Sequence, residues 1–231
     1  MTYSKRLSFL KKKITENFYN IDTAVPLLKE TANANFLESV ETHIRLNIDV
    51  KQIDQQLRAS LVLPHGTGKS LKIAVLTQPE FFTEALNYGA DIVGYDDLIA
   101  NINKSELNFD VLITSPILMP KLAKLGKVLG PKGLMPSPKS GTITHNLKDT
   151  INEFRKGKIE YRADKTGIIH INFGKINFSV DQLKDNLLTI YKSIEKNKPK
   201  GIRGKYFKSF AICVTMGPSI FINPNSFKSI N

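Results

Sequence analysis

Between residues 43 and 50 apolar and polar positions alternate strictly: Ile44, Leu46, Ile48 and Val50 against His43, Arg45, Asn47 and Asp49. A period of two predicts a strand with one buried face and one polar face. Upstream, Asp22 or Thr23 is placed to cap a helix running to about Asn33, with Pro26 in its first turn. Between Gly66 and Gly157 the rhythm changes. Residues 72–76 read as a buried strand, and Pro79 opens a helix that Gly89 stops. Residues 92–93 and 111–114 read as further strands. Helices are predicted over 97–103, over 117–125 with Pro120 in the first turn, and over 147–156, the last after a Gly/Pro-rich loop at 126–141. Strands alternating with helices at this spacing predict a parallel sheet covered on both faces.

The tail returns to another pattern. Residues 158–163 and 167–173 read as strands paired with each other, and 206–215 as the last strand. Ser179-Val180-Asp181-Gln182 has the form of a capping box. Val180, Leu183, Leu187, Ile190 and Ile194 then fall on one helical face. Neither the first segment nor the last has enough elements for a core of its own. The expected architecture is therefore two domains: a discontinuous two-layer α+β domain of residues 1–67 and 158–231, and an inserted doubly wound, Rossmann-like α/β/α domain of residues 68–157.

Charge sharpens the division. The 231 residues carry 33 Lys and Arg against 21 Asp and Glu, a net +12 that favours polyanionic partners. The discontinuous segments hold 22 basic and 12 acidic residues, a net +10, whereas the insert holds 11 and 9, a net +2. A polyanion is therefore expected on the discontinuous domain. The one cysteine, Cys213, excludes an intramolecular disulfide framework and a multi-cysteine zinc site. It is expected to lie buried in the last strand without an activating partner. No apolar run has signal-peptide or bilayer-spanning length, so the chain reads as soluble and intracellular with no membrane partner. Abundant Asn, Ile and Lys suggest an AT-rich genome such as an organelle's.

Few motifs point to chemistry. His65-Gly66-Thr67-Gly68-Lys69-Ser70 resembles half a P-loop, but Leu63 stands where the first glycine is required, and a strand follows where a helix should. A hinge at Gly66 and Gly68, with Gly157 on the return connection, fits the string better than nucleotide binding. No Ser-His-Asp arrangement stands out, and His43, His65, His145 and His170 lack the close spacing of zinc ligands. No catalytic residue, metal or cofactor is expected. The string 124–136, with Lys124, Lys127, Lys132 and nearby Lys139, reads equally as an anion-binding loop or a solvated connection. Thr215-Met216-Gly217-Pro218 ends a strand. Gly217 would let another backbone approach and Met216 would offer a soft surface to a base, or the turn is an ordinary one. Phe36 likewise suits stacking on a base or packing in the core.

Taken together, these strings resemble the L-one family of large-subunit ribosomal proteins over nearly the whole chain. The resemblance runs through Phe36-Leu37-Glu38-Ser39-Val40-Glu41, then Asp54 to Arg58 and Leu63 to Lys69, the loop from Gly126 to Pro136, Arg162 to His170, and Thr215 to Gly217. It implies a discontinuous domain that grips a folded region of large-subunit ribosomal RNA, and a mobile stalk that moves with deacylated tRNA leaving the exit site. It also implies that some members repress their own messenger RNA. The RNA-contacting residues it implies are Phe36, Ser39, Glu41, His43, Arg45, Lys165, Thr215, Met216 and Gly217. Ala163 stands where the family usually has a polar residue, and Asn47 where it often has glycine. The expected setting is a ribosome in a bacterial cytoplasm or an organelle, a plastid before a mitochondrion, with the protein monomeric when free. The alternatives are a nucleotide-dependent enzyme using the inserted domain and a general nucleic-acid chaperone.

Overall fold

The computed structural model describes residues 4–202 and 204–230. In chain order the elements are α1 (Lys5–Lys12), α2 (Ile21–Thr31), β1 (Ser39–Leu46), β2 (Arg58–Val62), β3 (Ile73–Leu76), α3 (Phe82–Asn87), β4 (Ile92–Gly94), α4 (Asp96–Asn103) and β5 (Val111–Thr114). There follow α5 (Met119–Ala123), α6 (Gly126–Leu129), α7 (Leu147–Arg155), β6 (Lys158–Arg162), β7 (Ile168–Lys175), α8 (Val180–Lys196), β8 (Phe207–Val214) and β9 (Ile220–Ile222). The fold is mixed α/β and α+β. It divides into two compact units, Met1–Gly68 with Glu160–Asn231, and Lys69–Ile159. Among the described residues no helix is long and apolar enough to cross a membrane.

In the unit made by the two chain ends, a four-stranded sheet has the order β7-β1-β8-β9. All its pairings are antiparallel. The alternation in β1 does what a period of two requires: Val40, Thr42, Ile44 and Leu46 are buried, and the residues between them are not. Helices α2 and α8 pack on that buried face, giving two layers. Helix α8 buries Leu183, Leu187, Ile190 and Ile194, and its capping box forms as expected: Gln182 N–H donates to Ser179 Oγ, and Ser179 N–H to Gln182 Oε1.

The other unit explains itself through β3. Its four residues are all buried, because both faces of the strand are covered. Ala74 and Leu76 join a cluster with Leu98, Ile102, Leu112, Leu122 and Leu129, while Ile73 and Val75 join Ala85, Ile113, Ile151 and Phe154. The sheet order is β4-β3-β5, all parallel, which is the doubly wound arrangement.

Several local expectations need correction. Asn20, not Asp22 or Thr23, precedes α2, and the β1 strand runs from Ser39 to Leu46, so Ile48 and Val50 fall outside it. The helix expected over 117–125 is a 3₁₀ turn followed by α5, and the Gly/Pro-rich stretch contains α6 and a second 3₁₀ turn. In that stretch Leu129 is buried, while Lys124, Lys127, Lys132 and Lys139 are all exposed. Strands β6 and β7 are not mates, apart from a single bridge between Ala163 and Ile169. Strand β6 pairs with β2, and β7 pairs with β1. Nor is β8 the last strand, because the chain turns at Thr215 and returns as β9.

The P-loop-like string owes its shape to one buried side chain that its own residues do not contain. Asn186 of α8 accepts the His65 N–H at 3.1 Å and donates to the Gly66 carbonyl at 3.0 Å and the Phe173 carbonyl at 2.8 Å. His65 N–H is therefore spent on the protein and not offered to a phosphate. Gly68 has φ +71°, and a Cβ there would come within 2.8 Å of Lys175 Cγ. In the neighbouring unit Lys69 Nζ pairs with Asp110 at 2.6 Å. Asn186→Ala should lower the unfolding free energy by about 3 kcal/mol, because three backbone groups lose a partner at about 1–3 kcal/mol each and water recovers part. Urea denaturation checks this against Asp185→Ala, which removes only the exposed carboxylate 3.2 Å from His65 Nε2 and should cost less than about 0.5 kcal/mol. Equal losses would show that the Asn186 clamp contributes nothing.

Candidate nucleic-acid interface

The outer face of the four-stranded sheet follows from register. Across β1 and β8, Glu41 lies opposite Cys213, His43 opposite Ala211 and Arg45 opposite Ser209. Across β1 and β7, Glu41 lies opposite Asn172, His43 opposite His170 and Arg45 opposite Ile168. On that face Arg45 is exposed and Glu41, His43 and Cys213 are partly exposed, whereas Ala211 is buried. Of the residues implied by the family resemblance, Ser39, Glu41, His43 and Arg45 thus share one side of β1. Ser39, Thr215 and Met216 gather at one end, and Arg45 marks the other, where the β6–β7 turn presents Lys165. Six residues of extended chain separate the two ends, about 20 Å.

The first end is tightly built. Ser39 N–H donates to Thr215 Oγ1 at 3.0 Å, and Thr215 N–H donates back to the Ser39 carbonyl at 3.1 Å. Lys175 Nζ donates to Ser39 Oγ at 2.7 Å. Met216 is held on both sides of its peptide: its N–H donates to Glu38 Oε1 at 3.1 Å, and its carbonyl accepts from Arg6 of α1. Arg6 is itself fixed on Asn33 at 2.7 Å. With the backbone anchored, the side chains of Met216 and Phe36 remain 52% and 53% exposed. Phe36 therefore does not pack in the core.

Glu38 is the residue that the sequence reading passed over. It is only 1% exposed, and its Oε2 is the buried side-chain oxygen without a hydrogen-bond partner among the described residues. A signal for it was present. Glu38 has the same parity as Val40, Thr42, Ile44 and Leu46, so the alternation already pointed its side chain inward. Lys175, Arg6 and Asn186 had no comparable signal, because their partners are remote in sequence.

Gly217 has a different reason from the one its sequence suggests. A Cβ built on it would overlap Val214 Cγ2, and Thr31 Oγ1 lies beyond at 3.7 Å. The space is closed by a side chain of the same turn and not reserved for another backbone.

At the other end, Lys165 is exposed in a turn stitched together by Asp164, whose Oδ1 accepts the N–H groups of Thr166 and Ile168, both at 2.8 Å. The Ile168 N–H foremost, then Thr166 and His170, hold the Asp164 carboxyl down to about 2. Arg45 is exposed.

Between the ends stands a cluster that linear spacing does not show. His43 Nδ1 and His170 Nδ1 are 2.7 Å apart, and His43 Nε2 lies 3.2 Å from Cys213 Sγ and 3.9 Å from Glu41 Oε2. Burial, then the neighbouring His170, lower the His43 pKa, with Glu41 opposing. Burial pushes the Cys213 thiol up to about 11. Two corrections follow. The histidines are not all dispersed, and Cys213 is half-buried beside an imidazole and not isolated in the core.

Gly217→Ala is expected to lower stability by about 1–3 kcal/mol through overpacking against Val214. The double variant Gly217→Ala with Val214→Ala should recover part of that loss, as a double-mutant cycle by thermal or urea unfolding would show. Strict additivity of the two losses would mean that the Val214 methyl is not what Gly217 accommodates.

Comparison with known proteins adds what geometry leaves open. The model of the Ribosomal protein L1p/L10e family matches residues 28–218. A "Large ribosomal subunit protein uL1c" of Phaeodactylum tricornutum is 60% identical over 210 residues, 91% of each chain. One of Guillardia theta is 57% identical over 228 residues, 99% of this chain and 97% of its own. A "Large ribosomal subunit protein uL1" of Prochlorococcus marinus is 52% identical over 228 residues, with the same coverage. These likenesses make the chain a ribosomal protein and not an enzyme. Matched by the family model over most of its length and by relatives from end to end, the chain belongs to the Ribosomal protein L1p/L10e family.

Proposed function

We propose that this protein is a component of the large ribosomal subunit that binds a folded region of large-subunit ribosomal RNA through the outer face and the Ser39 end of its four-stranded sheet. The observation that carries the reading is the Thr215–Gly217 turn: its backbone is pinned by Glu38, Ser39 and Arg6, while Met216 and nearby Phe36 stay out in solvent. Exposed apolar groups on an anchored backbone of this kind fit unstacked bases and sugars with little backbone ordering cost on binding. Arg45 on β1, Lys165 in the β6–β7 turn and Lys175 at the end of β7 supply phosphate neutralisation in the same unit. The hinge glycines Gly66, Gly68 and Gly157, all at positive φ, support a second proposal in the same frame. In that proposal they are the hinge, in the two connections between the units, that a stalk following deacylated tRNA from the exit site requires. The relatives named uL1c and the cyanobacterial ones together favour a plastid ribosome as its setting.

Shape and charge contributions separate experimentally. Arg45→Ala and Lys165→Ala should weaken cognate and unstructured RNA alike and reduce the slope of log affinity against log salt by about 1 each. Met216→Ala should cost about 1–2 kcal/mol on the cognate ribosomal RNA fragment only, with an unchanged salt slope. Filter binding across a salt series measures both. Equal loss of cognate and unstructured RNA in Met216→Ala would favour the chaperone reading instead.

A further inference from the structure

We propose that Glu41, His43 and Cys213 form a binding site for one divalent transition-metal ion of the zinc class on the outer face of the sheet. The register builds it. Glu41 and Cys213 are direct cross-strand partners, and His43 lies two residues along β1, on the same side of the pleat. One donor atom from each, a carboxylate oxygen, an imidazole nitrogen and a sulfur, lies within 4.8 Å of the other two. A single ion with bonds of about 2.0–2.3 Å can reach all three after small side-chain rotations.

The second ring nitrogen of His43 strengthens the assignment. Zinc-binding histidines almost always use their other N–H on a hydrogen-bond acceptor that fixes the ring. Here the two Nδ1 atoms of His43 and His170 are 2.7 Å apart, so one donates and the other accepts. His170 Nε2 faces Asp164 Oδ2 at 3.6 Å, which favours the proton on that nitrogen and leaves His170 Nδ1 as the acceptor. His43 then carries its proton on Nδ1, and the lone pair of Nε2 points towards Cys213. Asp164 and His170 are thus positioning residues that present His43 as a ligand.

The donor set selects the ion. A thiolate with an imidazole and one carboxylate suits zinc or cobalt and disfavours magnesium and calcium, which take oxygen ligands. Three protein ligands leave a fourth position open, and the partial exposure of Glu41 and His43 lets an ion enter. Binding displaces the thiol proton from Cys213, so affinity rises with pH. The competing account is a metal-free one, in which the Cys213 S–H simply donates to His43 Nε2. An ion here would also cancel the carboxylate that β1 contributes to the face proposed above for RNA. The metal site rests on the side-chain geometry alone, and its test contains no RNA, so either proposal can fail without the other.

The experiment is a titration of the full, reduced, chelator-stripped chain with cobalt(II), followed by displacement with zinc(II). The expected result is saturation near one equivalent, with thiolate-to-cobalt charge-transfer absorption and the intense visible bands of a four-coordinate ion. Cys213→Ser should abolish the charge-transfer band, and Glu41→Gln and His43→Gln should each weaken binding about tenfold or more. His170→Ala should weaken it by about 10–100-fold, the range for loss of a ligand-orienting group. His65→Gln, at an exposed histidine elsewhere, should leave the titration unchanged. Circular dichroism establishes that each variant is folded, and Glu41→Gln keeps the thiol and imidazole intact should Cys213→Ser fail. Absence of the charge-transfer band in the unsubstituted chain, or binding equally weakened by His65→Gln, overturns the proposal.

Discussion

Strand β1 hydrogen-bonds along both edges, to β7 and to β8, and both partners lie far downstream: 127 residues separate His43 from His170 across the first pairing. That double antiparallel register is the constraint on which the unit depends. It closes the two ends of the chain into one unit, with the residues of the other unit inserted between them in the sequence. It also sorts side chains by parity. A slip of one residue would turn Val40, Thr42, Ile44 and Leu46 out to solvent and drive Glu41, His43 and Arg45 under helices α2 and α8. The inward apolar set makes that slip costly, so the outward polar set is held in place by residues on the opposite face.

Buried polar anchors then convert a sheet into a shaped surface. Glu38 and Asn186 each sit in the core and hydrogen-bond backbone groups, Glu38 through Oε1 alone and Asn186 through its whole amide. Burying such groups is costly unless they are paired. Asn186 is fully satisfied. Glu38 keeps one oxygen without a partner among the described residues, and in return fixes the turn that holds Met216 outward. Phe36 and Met216 are exposed, which fits the surface proposed above for RNA.

The two units differ in how they use charge and backbone. The chain-end segments concentrate the positive excess and offer an open sheet face, whereas the inserted one is nearly neutral and covers its parallel sheet on both sides. A doubly wound sheet beside a Gly-Thr-Gly-Lys-Ser string invites a nucleotide-binding reading. The backbone gives that reading no support, because the His65 N–H is already bound to Asn186 and the string continues into a strand, not a helix.

What the sequence determined by itself was much of what depends on near neighbours. The alternation in β1, the capping box of α8, the fully apolar β3 and the incomplete P-loop are properties of short windows, and the uneven charge is a plain count along the chain; the structure carries them. Even the inward direction of Glu38 was legible in parity. The tertiary structure decided what depends on partners remote in the chain. It set β6 beside β2 instead of β7, placed His43 between His170 and Cys213, and filled the space beside Gly217 with Val214. The physical reason lies in the two kinds of interaction. Periodicity and capping act over a few residues, so a sequence displays them directly. Strand pairing and side-chain clusters arise only after the chain has closed long loops, and which partner wins depends on the packing of the whole unit.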